Sequence, residues 1–168
     1  MSALTLLVNG FARLPAIIER ATQGLDRQQL ASRPAPGANP IAWLAWHTAR
    51  GQDAWVSDLA GTEPVWTEGE WHTGFALPFA VDENGFGMPA ADTLRVIASA
   101  DLLTGYLAAV TSRTLAYLST LSEGDLDDVV DATRTPVITR GVQLMSILDD
   151  GLQHSGQASY ARGILDRV

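Results

Sequence analysis

The sequence predicts an all-α protein, a four-helix bundle that spans residues 1–168 as a single domain, and three observations predict it. Apolar residues recur at three- and four-residue steps in four separate stretches, the period of helices that each bury one face. The segments between them read as one long loop and one extended crossover, which leaves the helices to cover one another. At 168 residues the chain can bury about two thirds of its unfolded surface, enough for one core without staples.

The first helix is expected from about Leu4 to Thr22, with Leu4, Leu7, Val8, Phe11, Leu14, Ile17, Ile18 and Ala21 on its stripe. Pro15 falls inside it and predicts a kink or break. From Gly24 to Pro40, "GLDRQQLASRPAPGANP" supports only a short turn around Asp26 to Leu30, because its prolines and Gly37 impose irregular backbone. Asn39 is the expected N-cap and Pro40 the expected first residue of the second helix, which runs to about Ala60 and stops at Gly61.

Residues 61–91 carry Trp66, Trp71, Phe75, Phe79 and Phe86 among glycines and prolines, with no sustained period. A loop of that length is functional or disordered, and its aromatic content predicts order. Trp66, Trp71 and Phe75 are expected to cover a site as a lid or to pack a dimer interface, and Trp43 and Trp55 to lie in the core. The third helix is expected from Ala91 or Asp92 to near Leu121, with a break near Ser99 or Gly105. "SEGDLDDVVDATRTPVITRG" then reads as an extended crossover, and the fourth helix runs from about Thr139 to Ile164.

Composition excludes several functions. Nineteen acidic residues against eleven basic ones give a net charge of −8, which repels phosphate backbones, so no nucleic acid is expected as a partner. There is no cysteine, hence no disulfide, no thiolate ligand and no cysteine nucleophile. No segment has signal-peptide character or the roughly 20 apolar residues of a membrane span, so a cytoplasmic protein is expected. Every basic residue is arginine, and no function follows from that.

The candidate chemistry lies in "DDGLQHSGQASYARG". Asp150 and His154 are four residues apart and share a helix face about 6 Å apart at Cβ, one carboxylate and one imidazole of the kind divalent metals take. His47, in "AWLAWHTARGQD", shares a stripe with Trp43, Arg50 and Ala54 and supplies a third donor. Three protein ligands leave a coordination position open, as in a catalytic metal site. The plainer reading is a hydrogen-bonded core histidine beside a helix ion pair, and spacing alone leaves both open. Asp149 is rotated about 100° from Asp150 and faces away. His72 is expected to be exposed or substrate-facing, not ligating.

At these residues the chain resembles a known family. "NPIAWLAWHTARGQDAWV" and "DDGLQHSGQASYARGIL", with the loop "EWHTGFALPFAVDENGFG", resemble the DinB-like superfamily of metal-binding four-helix bundles, near its mycothiol-dependent members. The most specific element is His154 followed by Gly156 and Gln157. Family members usually carry a histidine pair on the last helix, and here Asp150 replaces its first member. A mycothiol-dependent isomerase of the same superfamily is similar in setting a carboxylate there.

The resemblance implies a divalent metal, Zn or Ni, held by His47, Asp150 and His154, since imidazole suits both ions. It further implies transfer or addition of a low-molecular-weight thiol such as mycothiol to a small-molecule electrophile, in a homodimer. Arg50 is the candidate for holding a substrate carboxylate, with pairing to Asp53 or Asp150 as its structural alternative. Gln157 is the candidate for orienting His154 from behind. Arg162 reads more simply as a helix cap, and Gly151 and Gly156 as packing positions. Two other functions suit the same donors: a metal-dependent hydrolase, and a non-catalytic bundle that binds a ligand or partner.

Overall fold

A computed structural model describes residues 1–167 and is helical almost throughout. The first helix is two helices, α1 (Ala3–Phe11) and α2 (Leu14–Thr22). The break falls at Ala12 and Arg13, and Pro15 takes a place in the first turn of α2, where a missing N–H costs no hydrogen bond. A short α3 (Arg27–Ala31) follows, closed by a capping box in which Asp26 and Gln29 satisfy each other's backbone N–H. The second long helix is α4 (Ile41–Ala60), which ends at Gly61 in the left-handed conformation, φ 66°. Pro40 is itself the cap residue, with extended backbone (φ −65°, ψ 151°), and Asn39 makes no capping bond.

The long loop is ordered as expected, and it contains two short helices, α5 (Val65–Glu68) and α6 (Trp71–Phe75). The third helix does not begin at Ala91 or Asp92. One turn, α7 (Ala90–Thr93), stands apart, and α8 (Ala100–Ser119) starts at the break near Ser99, whose side chain caps it through the Leu102 N–H. Gly105 causes no interruption. The crossover is a 3-10 turn (Glu123–Asp127) and a small antiparallel pair, β1 (Val129–Asp131) and β2 (Ile138–Thr139). Thr139 then caps α9 (Arg140–Leu165).

The four rods are α1 with α2, then α4, α8 and α9. Both α4 and α2 pack against α8 and α9, so α2 and α4 lie on a diagonal. Phe11, Leu14, Ile18, Leu44, Trp46, Leu103, Leu107 and Leu144 are almost fully buried between them. Each contributes roughly 1.5–3 kcal/mol over an exposed side chain. Gly151 faces α2: a Cβ there would stand 3.0 Å from Leu14 Cδ1, so its packing role holds. Gly156 has nothing within 4 Å of its missing Cβ and packs against nothing.

The aromatic loop is tied to the bundle through one buried ion pair on α4. Arg50 and Asp53 are 3 % and 2 % exposed and lie 3.8 Å apart. The Asp53 carboxylate accepts the Val65 and Trp66 N–H groups at the start of α5 (2.9 and 2.8 Å) and the Tyr106 hydroxyl of α8 (2.7 Å). Arg50 donates to the carbonyls of Glu83 (3.1 Å), Val81 and Asp82 (both 3.4 Å), and its guanidinium lies over Trp66. Trp66, Trp71 and Phe75 pack around Tyr106. Trp66 and Phe75 are buried and Trp71 partly so, which makes this cluster an extension of the core and not a lid.

Removing one member of a buried ion pair leaves the other without a partner, at a cost of about 3–5 kcal/mol. Asp53→Ala is therefore expected to lower unfolding stability by that amount, read as a shift in the urea midpoint. A change below about 1 kcal/mol would show that loop and bundle are not joined through this pair.

Candidate metal centre

Helical periodicity brings the three donors together. His47 lies on α4 and projects toward α9, where Asp150 and His154 occupy consecutive turns of one face. One donor atom from each residue lies within 4.8 Å of the others. The His154 Nε2 and Asp150 Oδ1 atoms are 3.4 Å apart, the separation of two ligands on a tetrahedral ion with bonds of about 2.1 Å. His47 is buried, His154 partly so, and the Asp150 side chain is half exposed.

Both imidazoles are held from behind. The His47 Nδ1–H donates to the Asn84 carbonyl at 2.5 Å, and the His154 Nδ1–H donates to Gln157 Oε1 at 2.9 Å. Each bond turns the ring's Nε2 toward the site, the nitrogen a metal would take; on His154 that atom faces Asp150 Oδ1, and ligation would displace the proton held between them. Trp43 stacks on the His47 ring with centroids 4.7 Å apart and meets His154 edge-on at 5.7 Å, a dry wall behind both rings. The donor set thus fits a divalent ion: two imidazoles, one carboxylate and satisfied outer partners.

The electrostatics differ between the two rings. Burial lowers the His47 pKa, opposed by its bond to Asn84, so the ring is neutral and able to ligate at neutral pH. His154 loses affinity for its proton through burial and regains more through its bonds to Asp150 and Gln157, for a net rise. The His154 bond in turn holds Asp150 below the ordinary carboxylate value, against desolvation.

The site opens on a cleft of about 290 Å³ lined by His47, Gly51, Trp55, Asn84, Phe86, Gln143, Ser146, Ile147 and Asp150. Arg50 does not line it; its guanidinium is buried with Asp53 and the carbonyls of residues 81–83. Asp149 faces away, as expected, and bonds to Gln153. His72 lies beneath Trp66, its Nδ1 3.2 Å from the Trp66 carbonyl, apart from the donor cluster. Trp55 is not in the core: it is 51 % exposed and forms part of the cleft. Arg162 bonds to Asp166 and to the Gln23 carbonyl, closing the end of α9.

Sequence reasoning missed Asn84 and Gly85, although the turn signal Asn-Gly in "DENGFG" marks them. Gly85 has φ +94°, and a Cβ there would stand 2.7 Å from His47 Nδ1. Only glycine lets this loop come close enough for the Asn84 carbonyl to reach the ring.

A four-helix bundle in which two backed imidazoles and a carboxylate converge beside an open cleft has a donor cluster that could hold a divalent metal. The chain belongs to the DinB superfamily, whose profile matches residues 11–158 and whose members often bind metals. It is also similar to the crystal structure of a conserved protein from Enterococcus faecalis, with 32% sequence identity, a TM-score of 0.92, and coverage of 100% of this chain and 99% of that one. Comparison with curated proteins gives no match.

Gly85→Ala is expected to weaken zinc affinity about 10- to 100-fold, the usual cost of losing an outer partner of a ligand. Unchanged affinity in a competition titration would mean that the loop does not set the His47 ring. A second expectation concerns pH. The raised His154 value means that its proton stabilises the metal-free fold below about pH 6.5, a contribution lost as pH rises through the raised value. His47, with its lowered value, acts in the opposite direction, and because the His154 charge is one cause of that lowering, the difference reports the two rings together. The gap in urea midpoint between metal-free wild type and His154→Gln should shrink as pH rises through that window, while zinc affinity of the wild type increases.

Proposed function

We propose that this protein is a divalent-metal-dependent enzyme that joins a low-molecular-weight thiol, of the mycothiol type, to a small electrophile. The observation that carries the reading is the open donor set: His47, Asp150 and His154 converge, with both Nδ1 atoms already bonded, on a cleft of about 290 Å³. Zn²⁺ suits two imidazoles and a carboxylate, and Ni²⁺ suits the imidazoles as well.

A divalent ion held there would acidify a thiol, making sulfur nucleophilic at neutral pH without any nucleophile from the chain. That matters in a protein with no cysteine. The chain's own residues do the positioning. Asn84 and Gln157 fix the two rings, Trp43 excludes water behind them, and Asp150 contributes the one negative charge of the donor set. Gln143 and Ser146 place polar groups along α9 in the cleft, within the space a bound thiol or electrophile would occupy. Arg50 takes no part, since its donors are turned toward the loop carbonyls.

Protein purified without an affinity tag or chelator is expected to hold near one equivalent of Zn or Ni by elemental analysis, with the metal lost in His47→Ala and in Asp150→Ala. Helical signal should persist in both variants, because the aromatic loop and core are anchored elsewhere. Electrophile turnover should appear only when a thiol is supplied. Turnover without thiol would instead identify a hydrolase using the same site, and failure to bind metal after reconstitution would remove the basis of both.

A further inference from the structure

We propose that Trp55 and Phe86 form an aromatic clamp at the mouth of the α4–α9 cleft, and that the electrophile carries a planar aromatic or conjugated group held by that clamp with its reactive end toward the donor cluster. This rests on the metal reading above and names the substrate class for the same site. Among the five tryptophans Trp55 is the exposed one, at 51 %, and among the four phenylalanines Phe86 is, at 89 %. Both line the one cleft that also contains His47 and Asp150. Large exposed aromatics scattered over a surface mean little, but two on the rim of one cleft beside a catalytic-type donor set mark the part of a ligand that they would cover.

The presentation of Phe86 is built by the backbone. Gly85 and Gly87 flank it, both at positive φ (+94° and +69°). The Gly85 N–H donates to the Glu83 carboxylate at 2.6 Å, and the Phe86 N–H donates to Asn84 Oδ1 at 2.9 Å. Residues 81–83, immediately before, are pinned by Arg50. The ring is thus displayed outward by a turn that is anchored on its inner side, the same turn that supplies the carbonyl for His47.

Trp55 comes from α4, two turns along from His47, with Gly51 between them. That glycine leaves the floor open where a ligand must pass from the rim to the donors. The buried Ile147 adds an apolar surface on the α9 side. An apolar cavity of about 150 Å³ accepts benzene. The cleft, at about 290 Å³, has space for one ring and a reactive head group.

Benzohydroxamate and acetohydroxamate separate the two parts of this idea, since they share a metal-binding head and differ by the ring. Titrated into zinc-loaded protein by calorimetry, benzohydroxamate is expected to bind about tenfold more tightly and to quench tryptophan fluorescence. Phe86→Ala and Trp55→Ala should each reduce that preference several-fold while leaving zinc content and acetohydroxamate affinity unchanged. Equal affinity of the two probes in wild type, or an unchanged preference in both variants, would overturn the clamp while leaving the metal site standing. So would Phe86→Ala converting a dimer to a monomer with the preference intact, because the ring would then serve a second copy of the chain. If neither probe binds although zinc is present, the open coordination position is refuted and the clamp with it.

Discussion

The architecture of the site depends on a single buried ion pair, Arg50 with Asp53, on the helix that also carries His47. Burying two charges is costly unless every remaining hydrogen-bonding position is filled. Here the filling is done by the loop: Asp53 takes two backbone N–H groups at the start of α5 and the Tyr106 hydroxyl, and Arg50 takes three carbonyls from residues 81–83. The loop completes the pair's hydrogen bonds, and the pair, together with the packing of Trp66, Trp71 and Phe75 around Tyr106, places the loop. Because Asn84 follows directly, the carbonyl that orients His47 is positioned by the same contacts. Tyr106 feels the burial and the Asp53 charge together, and both push its pKa well up, so it stays a neutral donor.

This arrangement separates rigidity from access. Behind the donors lie Trp43, which excludes water, and the Asn84 carbonyl and Gln157, which orient the rings. In front lie exposed aromatics and the polar side chains of α9. A metal centre needs both properties, because ligands that wander bind weakly and a closed site has no open position. The long loop between the second and third rods provides both, its first part packed into the core and its last turn lining the cleft.

Much of this was legible in the sequence, and the failures have particular causes. The four rods follow from period and punctuation, and the Asp150–His154 pairing from helical spacing, whereas His47 joins them on the strength of the family resemblance. Arg50 was harder. One turn from His47, it looks equally suited to a substrate or to an internal partner, and only the burial of Asp53 and the return of residues 81–83 decide where its donors go. Trp55 misled in the opposite direction, because a tryptophan on a core helix reads as core, yet it sits where α4 and α9 part to form the cleft. Asn84 and Gly85 are ordinary turn residues locally. Their role is set by a contact 37 residues away in the chain, which no local pattern encodes.

Asp150 supplies a carboxylate where a histidine pair would supply a second imidazole on this helix, and the packing accommodates it. A carboxylate is shorter than an imidazole, so its oxygen reaches a shared ion only if the helix carrying it stands close to the helix opposite. Small residues at the α4–α9 contact provide that approach. A Cβ at Gly51 would lie 3.7 Å from Asp150 Oδ2, and one at Gly151 would meet Leu14 at 3.0 Å and Thr48 at 3.8 Å. A larger side chain at Gly51 would displace the carboxylate, and one at Gly151 would push α9 away from α2 and α4. Charge changes as well, since one carboxylate reduces a divalent centre to a net single positive charge and leaves it a weaker electrophile than three imidazoles would. A softened centre still acidifies a thiol, whose proton is already labile, more readily than water, whose proton is not. Two imidazoles and a carboxylate also serve zinc hydrolases, so residue 150 sets the reach and charge of the site and not its reaction, and the glycines at 51 and 151 leave room for so short a ligand.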